Sequence, residues 1–204
     1  MNTLLDRWIA FARRLARMAI GIGGAMIFAS AFLIGIEVLL RKMFLLSIGG
    51  ADELSGYAFA IGTSWGLAFT LLDRANVRVD ALYSHLGGRA RAACDVLALT
   101  SLAVFVGLLG WHALQVLSTS LQFGSRATTP LGTPLWIPQG LWVVGFAMFL
   151  FSLIPLLLRT LSAVAAGDLA TVGKLAGART VQEDAAEEVT HVTHLDPQTH
   201  QGHR

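Results

Sequence analysis

Charged residues are scarce in this sequence and are missing from long parts of it. Asp, Glu, Lys and Arg make up 14% of the 204 residues, compared with roughly 25% in ordinary soluble domains. Four runs contain none of them: residues 18–36, 54–72, 96–125 and 127–158. Each run can supply the roughly 20 apolar residues that cross the core of a bilayer as a helix. The scarcity of charge therefore argues against an ordinary soluble domain and predicts an integral membrane protein.

Cysteine is also nearly missing, since Cys94 is the only one. A single cysteine excludes an intrachain disulfide and any metal site built from several thiolates. The short alternating segments of a transmembrane β-barrel are missing as well. Backbone inside lipid must satisfy its own hydrogen bonds, so the apolar runs should be helices. We predict an all-α integral membrane protein with four transmembrane helices.

The predicted chain has three parts. Residues 1–17 place four apolar side chains on one helical face, which predicts an amphipathic helix in the membrane interface. The alternative is that this segment extends the first span. Residues 18–160 form the predicted four-helix membrane domain, and residues 161–204 form a predicted disordered cytoplasmic tail. The spans are predicted at Met18–Leu40, Glu53–Leu72, Ala93–Val116 and Leu135–Arg159.

The start of the chain also has features of a signal peptide. Arginines precede an apolar run, and Ala29-Ser30-Ala31 matches an A-x-A cleavage site. The apolar pattern nevertheless continues without a break to Leu40. We therefore expect the first helix to be retained.

Lys and Arg are distributed unequally between the segments that flank the predicted spans. The N-terminal segment, the second loop and the tail hold 12 of them, whereas the first and third loops hold 3. Cytoplasmic segments of membrane proteins are enriched in Lys and Arg. We therefore predict cytoplasmic N- and C-termini, with residues 41–52 and 117–134 in the periplasm.

The sequence contains no recognisable catalytic or cofactor-binding motif. A P-loop, an HExxH zinc motif and a nucleophile elbow are all missing. His85 and His112 are badly placed to hold a haem between facing helices, and the other four histidines lie in the tail. The acids in and near the spans lie at predicted span ends: Glu37, Asp52, Glu53 and Asp95. Because ion-translocating groups usually lie deep in the membrane, we predict no transport path within this chain alone, and no catalytic residue, cofactor or metal.

The two adjacent acids at the start of the second span predict a contact between helices. Asp52 stands in the first turn, where the positive end of the helix dipole stabilises an acid without a further partner. Glu53 lies one position deeper, where a lone charge is costly. We predict that Glu53 clamps two helices together through a bond with Arg41, the first candidate, or with Arg126 in the third loop.

Small residues are frequent in the first two predicted spans. In the second span, Gly62 and Gly66 form a GxxxG motif, which permits close approach of another helix. Small residues occur on nearly every face of this span. We therefore predict that it is buried on several sides.

Several motifs of the membrane part together resemble one protein family. They are Arg41 after the first span, Asp52-Glu53 opening the second, Arg78-Val79-Asp80 in the second loop, and Pro-Leu-Trp-Ile-Pro at the start of the fourth span. In this order and spacing they resemble the small permease subunit, DctQ type, of tripartite ATP-independent periplasmic (TRAP) transporters. The resemblance covers roughly residues 15–160. Asn76 stands where the family usually has His, so the chain departs from the family's pattern at that position.

The resemblance implies a set of partners and a function. Small subunits of this family pair with a large permease of the DctM type, which carries the sodium and substrate sites and performs the elevator movement. A periplasmic binding protein of the DctP type delivers the substrate, typically an organic acid. The small subunit is then a scaffold in the bacterial inner membrane, surrounded by lipids, and part of the surface on which the binding protein docks. Neither enzymatic activity nor a nucleic-acid partner is expected.

The residues expected to serve structure or interfaces in this subunit are Arg41, Asp52, Glu53, Gly62, Gly66, Asn76, Arg78, Asp80 and Arg126. Two other functions stay open on sequence grounds. One is a membrane anchor for a redox enzyme, which a haem spectrum would reveal. The other is a stand-alone small transporter, which flux through proteoliposomes of the purified chain would reveal.

Overall fold

Helices make up nearly all of the structure. The computed structural model describes residues 2–74 and 86–176. Five helices lie in these ranges: α1 Asn2–Phe44, α2 Ala51–Leu72, α3 Gly88–Phe123, α4 Trp136–Ala165 and α5 Leu169–Ala176. The same ranges contain no strand, only one antiparallel bridge between Arg126 and Pro134. The prediction of an all-α protein is therefore confirmed for the described residues.

Three of the described helices are long and apolar enough to cross a membrane: α1 from Leu4 to Phe44, α3 and α4. The 22 residues of α2 correspond to about 33 Å, which matches the roughly 30 Å of a bilayer core. However, α2 is not among the helices that are apolar enough by composition, since glycine, serine and threonine residues are interspersed along it. Length and composition together thus identify three of the four predicted spans among the described residues.

The first helix continues without interruption across the boundary predicted between residues 17 and 18. Its 43 residues correspond to about 65 Å, roughly twice the thickness of a bilayer core. No glycine or proline occurs before Gly21 to interrupt the helix. Leu4 and Phe11, from the predicted apolar face, are exposed. The residues that this segment buries against α2 are Ile9, Ala12 and Ala16.

Among the four long helices, α2 packs against α1 and α4, α3 packs against α4, and α1 also contacts α4 directly. Gly23 of α1 and Gly62 of α2 meet backbone to backbone: a Cβ added to Gly62 would lie 2.7 Å from the carbonyl oxygen of Gly23. On the opposite side of α2, Ser64 fills the space beside Gly145 of α4. The second helix is therefore covered from both sides, as its small residues predict.

The α4 helix shares the largest buried apolar cluster with α3 and with the end of α2. Leu153 at its centre is fully buried. The members of the cluster are Leu71, Leu99, Val106, Ala113, Phe146, Phe149, Leu153 and Leu156. This cluster fixes α3 to the rest of the bundle and so determines where the loop between α3 and α4 lies.

The C-terminal part of the described chain differs from the prediction. The predicted disordered tail begins at residue 161, but α4 continues to Ala165 and α5 follows after a turn at Gly167. The start of α5 is held by Asp168, whose carboxylate accepts a hydrogen bond from the Thr171 backbone N–H at 3.0 Å. Val172 packs with an alanine from each of α3 and α4. This apolar contact orders a segment whose composition alone indicates disorder; residues 177–204 lie outside the described ranges.

Candidate functional site at the loop end of the bundle

One end of the helix bundle, the loop end, carries the α1–α2 loop (residues 45–50) and the α3–α4 loop (residues 124–135). The two loops touch each other. Leu131 lies so close to Gly50 that any side chain at that position would collide with it. Pro130 lies beside Gly49, where an added Cβ would be 3.8 Å from the proline Cβ. Glycine at position 50 lets the two loops pack as one surface.

Glu37, in the last turns of α1, ties the α1–α2 loop to the helix. Only 3% of this residue is exposed. Its Oε1 accepts hydrogen bonds from the Arg41 guanidinium and the Ser47 hydroxyl, both at 2.6 Å. Its Oε2 accepts the Ile48 backbone N–H at 2.8 Å. One carboxylate therefore binds the helix end and the loop together through three donors.

The backbone of the α1–α2 loop shows why such an anchor is needed. Leu45 has φ 54 and Gly49 has φ 68, so both adopt left-handed conformations. Glycine takes this conformation readily, but a leucine there costs about 1–2 kcal/mol. Leu45 is also 90% exposed, so packing of its own side chain does not offset that cost. The bonds that Glu37 makes to the residues beyond Leu45 hold the turn in place.

Glu53, in the first turn of α2, ties down the second loop. The Tyr57 hydroxyl, one helical turn further along, donates to its Oε1 at 2.8 Å. The Thr129 hydroxyl of the α3–α4 loop donates to its Oε2, and Thr133 of the same loop is also close to the carboxylate. Glu53 thus connects α2 to a loop more than seventy residues away in sequence. The predicted clamp joined two helices, whereas Glu53 joins α2 to a loop.

The predicted partners of Glu53 are nevertheless wrong. Arg41 bonds to Glu37, its neighbour four residues earlier on α1, and Arg126 donates to the Gly132 carbonyl oxygen at 3.2 Å within its own loop. A partner one helical turn away is always within reach of a side chain on the same face, and Arg41 takes that partner. Glu53 is satisfied by hydroxyl groups instead of an arginine. The four-residue spacing between Glu37 and Arg41 could have identified their ion pair from the sequence.

The α3–α4 loop is a small hairpin with its own hydrogen bonds. The Ala127 N–H donates to the Thr133 carbonyl at 2.9 Å, and the Leu135 N–H donates to the Ser125 carbonyl at 3.0 Å. Gly132 permits the tip to close because its φ is 56. The Arg126 guanidinium also donates to the Gly132 carbonyl across the hairpin, so the loop presents a defined shape to its surroundings.

The other predicted residues are distributed differently. Asp52 is exposed, as expected for an acid that interacts only with the helix end. Of the GxxxG pair, Gly62 contacts α1, whereas a Cβ added to Gly66 would have no atom of another element within 4 Å. Asn76, Arg78 and Asp80 lie outside the described residues.

Exposed apolar side chains surround the two anchored loops. They come from both loops and from the helix ends next to them: Met43, Phe44, Leu45, Leu46, Ile48, Phe123, Leu131 and Trp136. A contiguous group of exposed apolar side chains usually marks contact with lipid or with another protein. Sequence reasoning missed them because apolar residues in short loops next to the spans give no periodic signal.

The chemistry that the loop end offers is binding rather than reaction. Both carboxylates already accept two or more hydrogen bonds. Within residues 2–74 and 86–176, no group of three or more His, Cys, Asp and Glu side chains is arranged to hold a metal ion. The arrangement is suited to holding two loops in a fixed shape at the end of a helix bundle.

Comparison with known proteins identifies the family. Residues 30–163 match the family described as tripartite ATP-independent periplasmic transporters, DctQ component. The match covers α2, α3, nearly all of α4, and α1 from residue 30, and so includes both anchored loops. Searches against curated proteins and against solved structures each gave no match. The chain therefore belongs to the DctQ family and is the small membrane subunit of a TRAP transporter.

Proposed function

We propose that this chain is the non-transporting scaffold of a sodium-driven TRAP importer. The imported substrate is an organic acid, specifically a carboxylate. The chain pairs with a large permease of the DctM type in the bacterial inner membrane. The permease holds the sodium and substrate sites. The loop end of this chain supplies part of the surface on which a periplasmic binding protein of the DctP type docks.

The observation that carries this proposal is that the buried and half-buried acids at the loop end accept hydrogen bonds from the loops. Glu37 of α1 and Glu53 of α2 lie at this end, and both carboxylates are occupied by hydrogen bonds that anchor loops. The charge-free runs of the sequence cover the central parts of α1 to α4. Ion carriers usually keep ionisable groups at that depth. A fixed scaffold with a shaped end accounts for both features.

The way α2 lies against α1 supports a proposal of four membrane spans. Ala51 begins α2 shortly after Phe44 ends α1 at the loop end. At the opposite end, Ala68 and Leu72 of α2 pack in one cluster with Ala12 and Ala16 of α1. The two helices thus run antiparallel over the whole length of α2. If α1 crosses the bilayer, we propose that α2 crosses beside it. An even number of spans puts both chain termini on one side, and the distribution of Lys and Arg favours the cytoplasm.

This topology predicts the accessibility of introduced cysteines. In a Cys94→Ser background, we expect a membrane-impermeant maleimide to label Thr128→Cys in spheroplasts without permeabilisation. Thr128 is exposed in the α3–α4 loop. Ala165→Cys, exposed at the end of α4, should be labelled only after permeabilisation. The reverse pattern, or labelling of both sites from outside, would contradict the topology.

The scaffold function is tested by reconstituted transport. We expect this chain to purify together with a large permease, and uptake of an organic acid to require both membrane subunits, the binding protein and a sodium gradient. Proteoliposomes that hold this chain alone should show no flux. Glu53→Gln should lower the uptake rate, because it weakens the anchor of the α3–α4 loop, but should leave the ratio of sodium to substrate unchanged.

Two results would contradict the scaffold function. Substrate flux through the chain alone would make it a transporter in its own right. A changed sodium-to-substrate ratio in Glu53→Gln, with an unchanged ratio in the exposed control Asp52→Asn, would place Glu53 in the ion path.

A further inference from the structure

A groove runs along the outside of the bundle at the end opposite to the loops. Its walls are the first turns of α3 and the last turns of α4, and the turn before α5 closes it. The cavity has a volume of about 640 Å³. Ala92 and Ala163 pack with Val172 on its buried side, whereas the neighbouring Ala93 faces the groove, where its short side chain leaves space.

The lining of the groove is apolar except at two positions. Arg89 lies at one end and Thr100 at the other, with Leu97, Leu161 and Val164 between them. These three apolar side chains are exposed, so nothing in the described chain covers the groove. Arg89 is the single charged residue in the lining, and it makes no hydrogen bond or ion pair with any residue that the structure describes. The nearest acid in sequence to the closing turn, Asp168, is bonded to Thr171 at the start of α5.

The length of the groove matches a lipid acyl chain in one leaflet. From residue 89 to residue 100, α3 rises by roughly 16 Å, which is about half the thickness of a bilayer core. One acyl chain of a phospholipid reaches to this depth in its leaflet, so the groove is long enough to hold it.

We propose that this groove binds a phospholipid with an anionic headgroup. The acyl chain lies along the apolar walls, and the guanidinium of Arg89 binds the headgroup at the membrane surface. A guanidinium forms strong, paired hydrogen bonds with phosphate oxygens. Basic pockets between transmembrane helices on the cytoplasmic side are known to hold acidic lipid headgroups. Arg89 lies on the side that is rich in Lys and Arg by sequence.

The test is a comparison of retained lipid in the purified transporter. The full chain, with its large permease where the two purify together, is exchanged into detergent with equal amounts of palmitoyl-oleoyl phosphatidylglycerol and phosphatidylcholine. Native mass spectrometry then counts the bound lipids. We expect the wild-type protein to retain phosphatidylglycerol about fivefold more than phosphatidylcholine, the contribution of one basic residue near a membrane surface.

Two variants and two matched controls assign the lipid to the groove. Arg89→Gln should abolish the preference for phosphatidylglycerol, and Ala93→Phe should lower retention of both lipids because the ring fills the groove. Arg13→Gln removes an exposed arginine on α1, and Ala98→Phe adds the same ring to an exposed position of α3 outside the groove. Both controls should behave as wild type.

Three outcomes would overturn the proposal: equal retention of the two lipids by the wild-type protein, full retention by Ala93→Phe, or an equal loss of preference in Arg13→Gln and Arg89→Gln. The thermal unfolding midpoint of each variant in the same detergent shows that it is folded. The lipid measurement does not depend on transport. Failure of the lipid proposal is therefore distinguishable from failure of the scaffold function.

Discussion

Replacing Glu37 with alanine should lower the midpoint of thermal unfolding by about 5 °C or more, measured by scanning fluorimetry of the purified protein in detergent. The side chain is nearly fully buried and accepts bonds from Arg41, Ser47 and the Ile48 N–H. Its removal leaves the Ser47 hydroxyl and the Ile48 N–H without their acceptor. Hydrogen bonds to a charged group contribute more than neutral ones, and unpaired polar groups add a desolvation penalty.

The control for this variant is Asp52→Ala. Asp52 is an acid of the same end of the bundle, but it is exposed, and its side chain anchors no loop in the structure. We expect its midpoint to stay within about 1 °C of wild type, because exposed single substitutions rarely change stability much. Ser47→Ala removes one of the three donors, and its midpoint of thermal unfolding should lie between those of Glu37→Ala and Asp52→Ala. Equal midpoints for Glu37→Ala and Asp52→Ala would show that the carboxylate of Glu37 does not anchor the loop.

The importance of Glu37 illustrates how far the sequence predicts this site. Charge-free runs predict helices reliably because helices are the way for a single segment to satisfy its backbone in lipid. The same runs place Glu37 and Glu53 at helix ends. They contain no information about how a loop folds back, so the Ser47 and Thr129 donors were not predicted. Bonds between residues that are close in sequence, such as Glu37 with Arg41, are predictable from helical spacing.

Helix ends were predicted less well than helix existence, for a physical reason. The third span was predicted at Ala93–Val116, but α3 runs from Gly88 to Phe123. Hydropathy reports where lipid begins, whereas a helix ends where its backbone can no longer continue. Gly124 ends α3 in a left-handed conformation with φ 59, a typical C-terminal signal of helices. The α5 helix was missed because its order depends on Val172 packing against other helices.

Contacts between helices also join residues that are far apart in sequence, and local sequence patterns do not predict them. The Trp65 indole donates to the Leu141 carbonyl of α4 at 2.9 Å, and no pattern in either segment indicates this bond. A GxxxG motif identifies a helix that other helices can approach closely. It does not say which glycine is at the crossing. In α2 the crossing lies at Gly62, which contacts Gly23, while Gly66 meets no other element within 4 Å of an added Cβ.

This difference leads to the second large expected effect. Gly62→Leu should lower the free energy of unfolding by about 2–3 kcal/mol, because overpacking a close contact forces the surrounding structure to shift. A Cβ at this position would lie 2.7 Å from the Gly23 carbonyl oxygen and 2.9 Å from Ile27. The first of these is backbone, so relief requires α1 and α2 to separate. Separation would also disturb the α1–α2 loop, which begins where α1 ends.

Gly66→Leu is the matched control, since it makes the same chemical change four residues further along the same helix. Space is open at this position, and leucine is a better helix former than glycine by about 0.8 kcal/mol. We expect Gly66→Leu to leave stability unchanged or raise it slightly, while Gly23→Leu reproduces the loss seen with Gly62→Leu from the other side of the crossing. The midpoints of thermal unfolding of the three variants, measured in one detergent, test this expectation. If Gly62→Leu and Gly66→Leu lost the same stability, the cost would come from leucine in α2 generally, and the close crossing of α1 and α2 at Gly62 would be wrong.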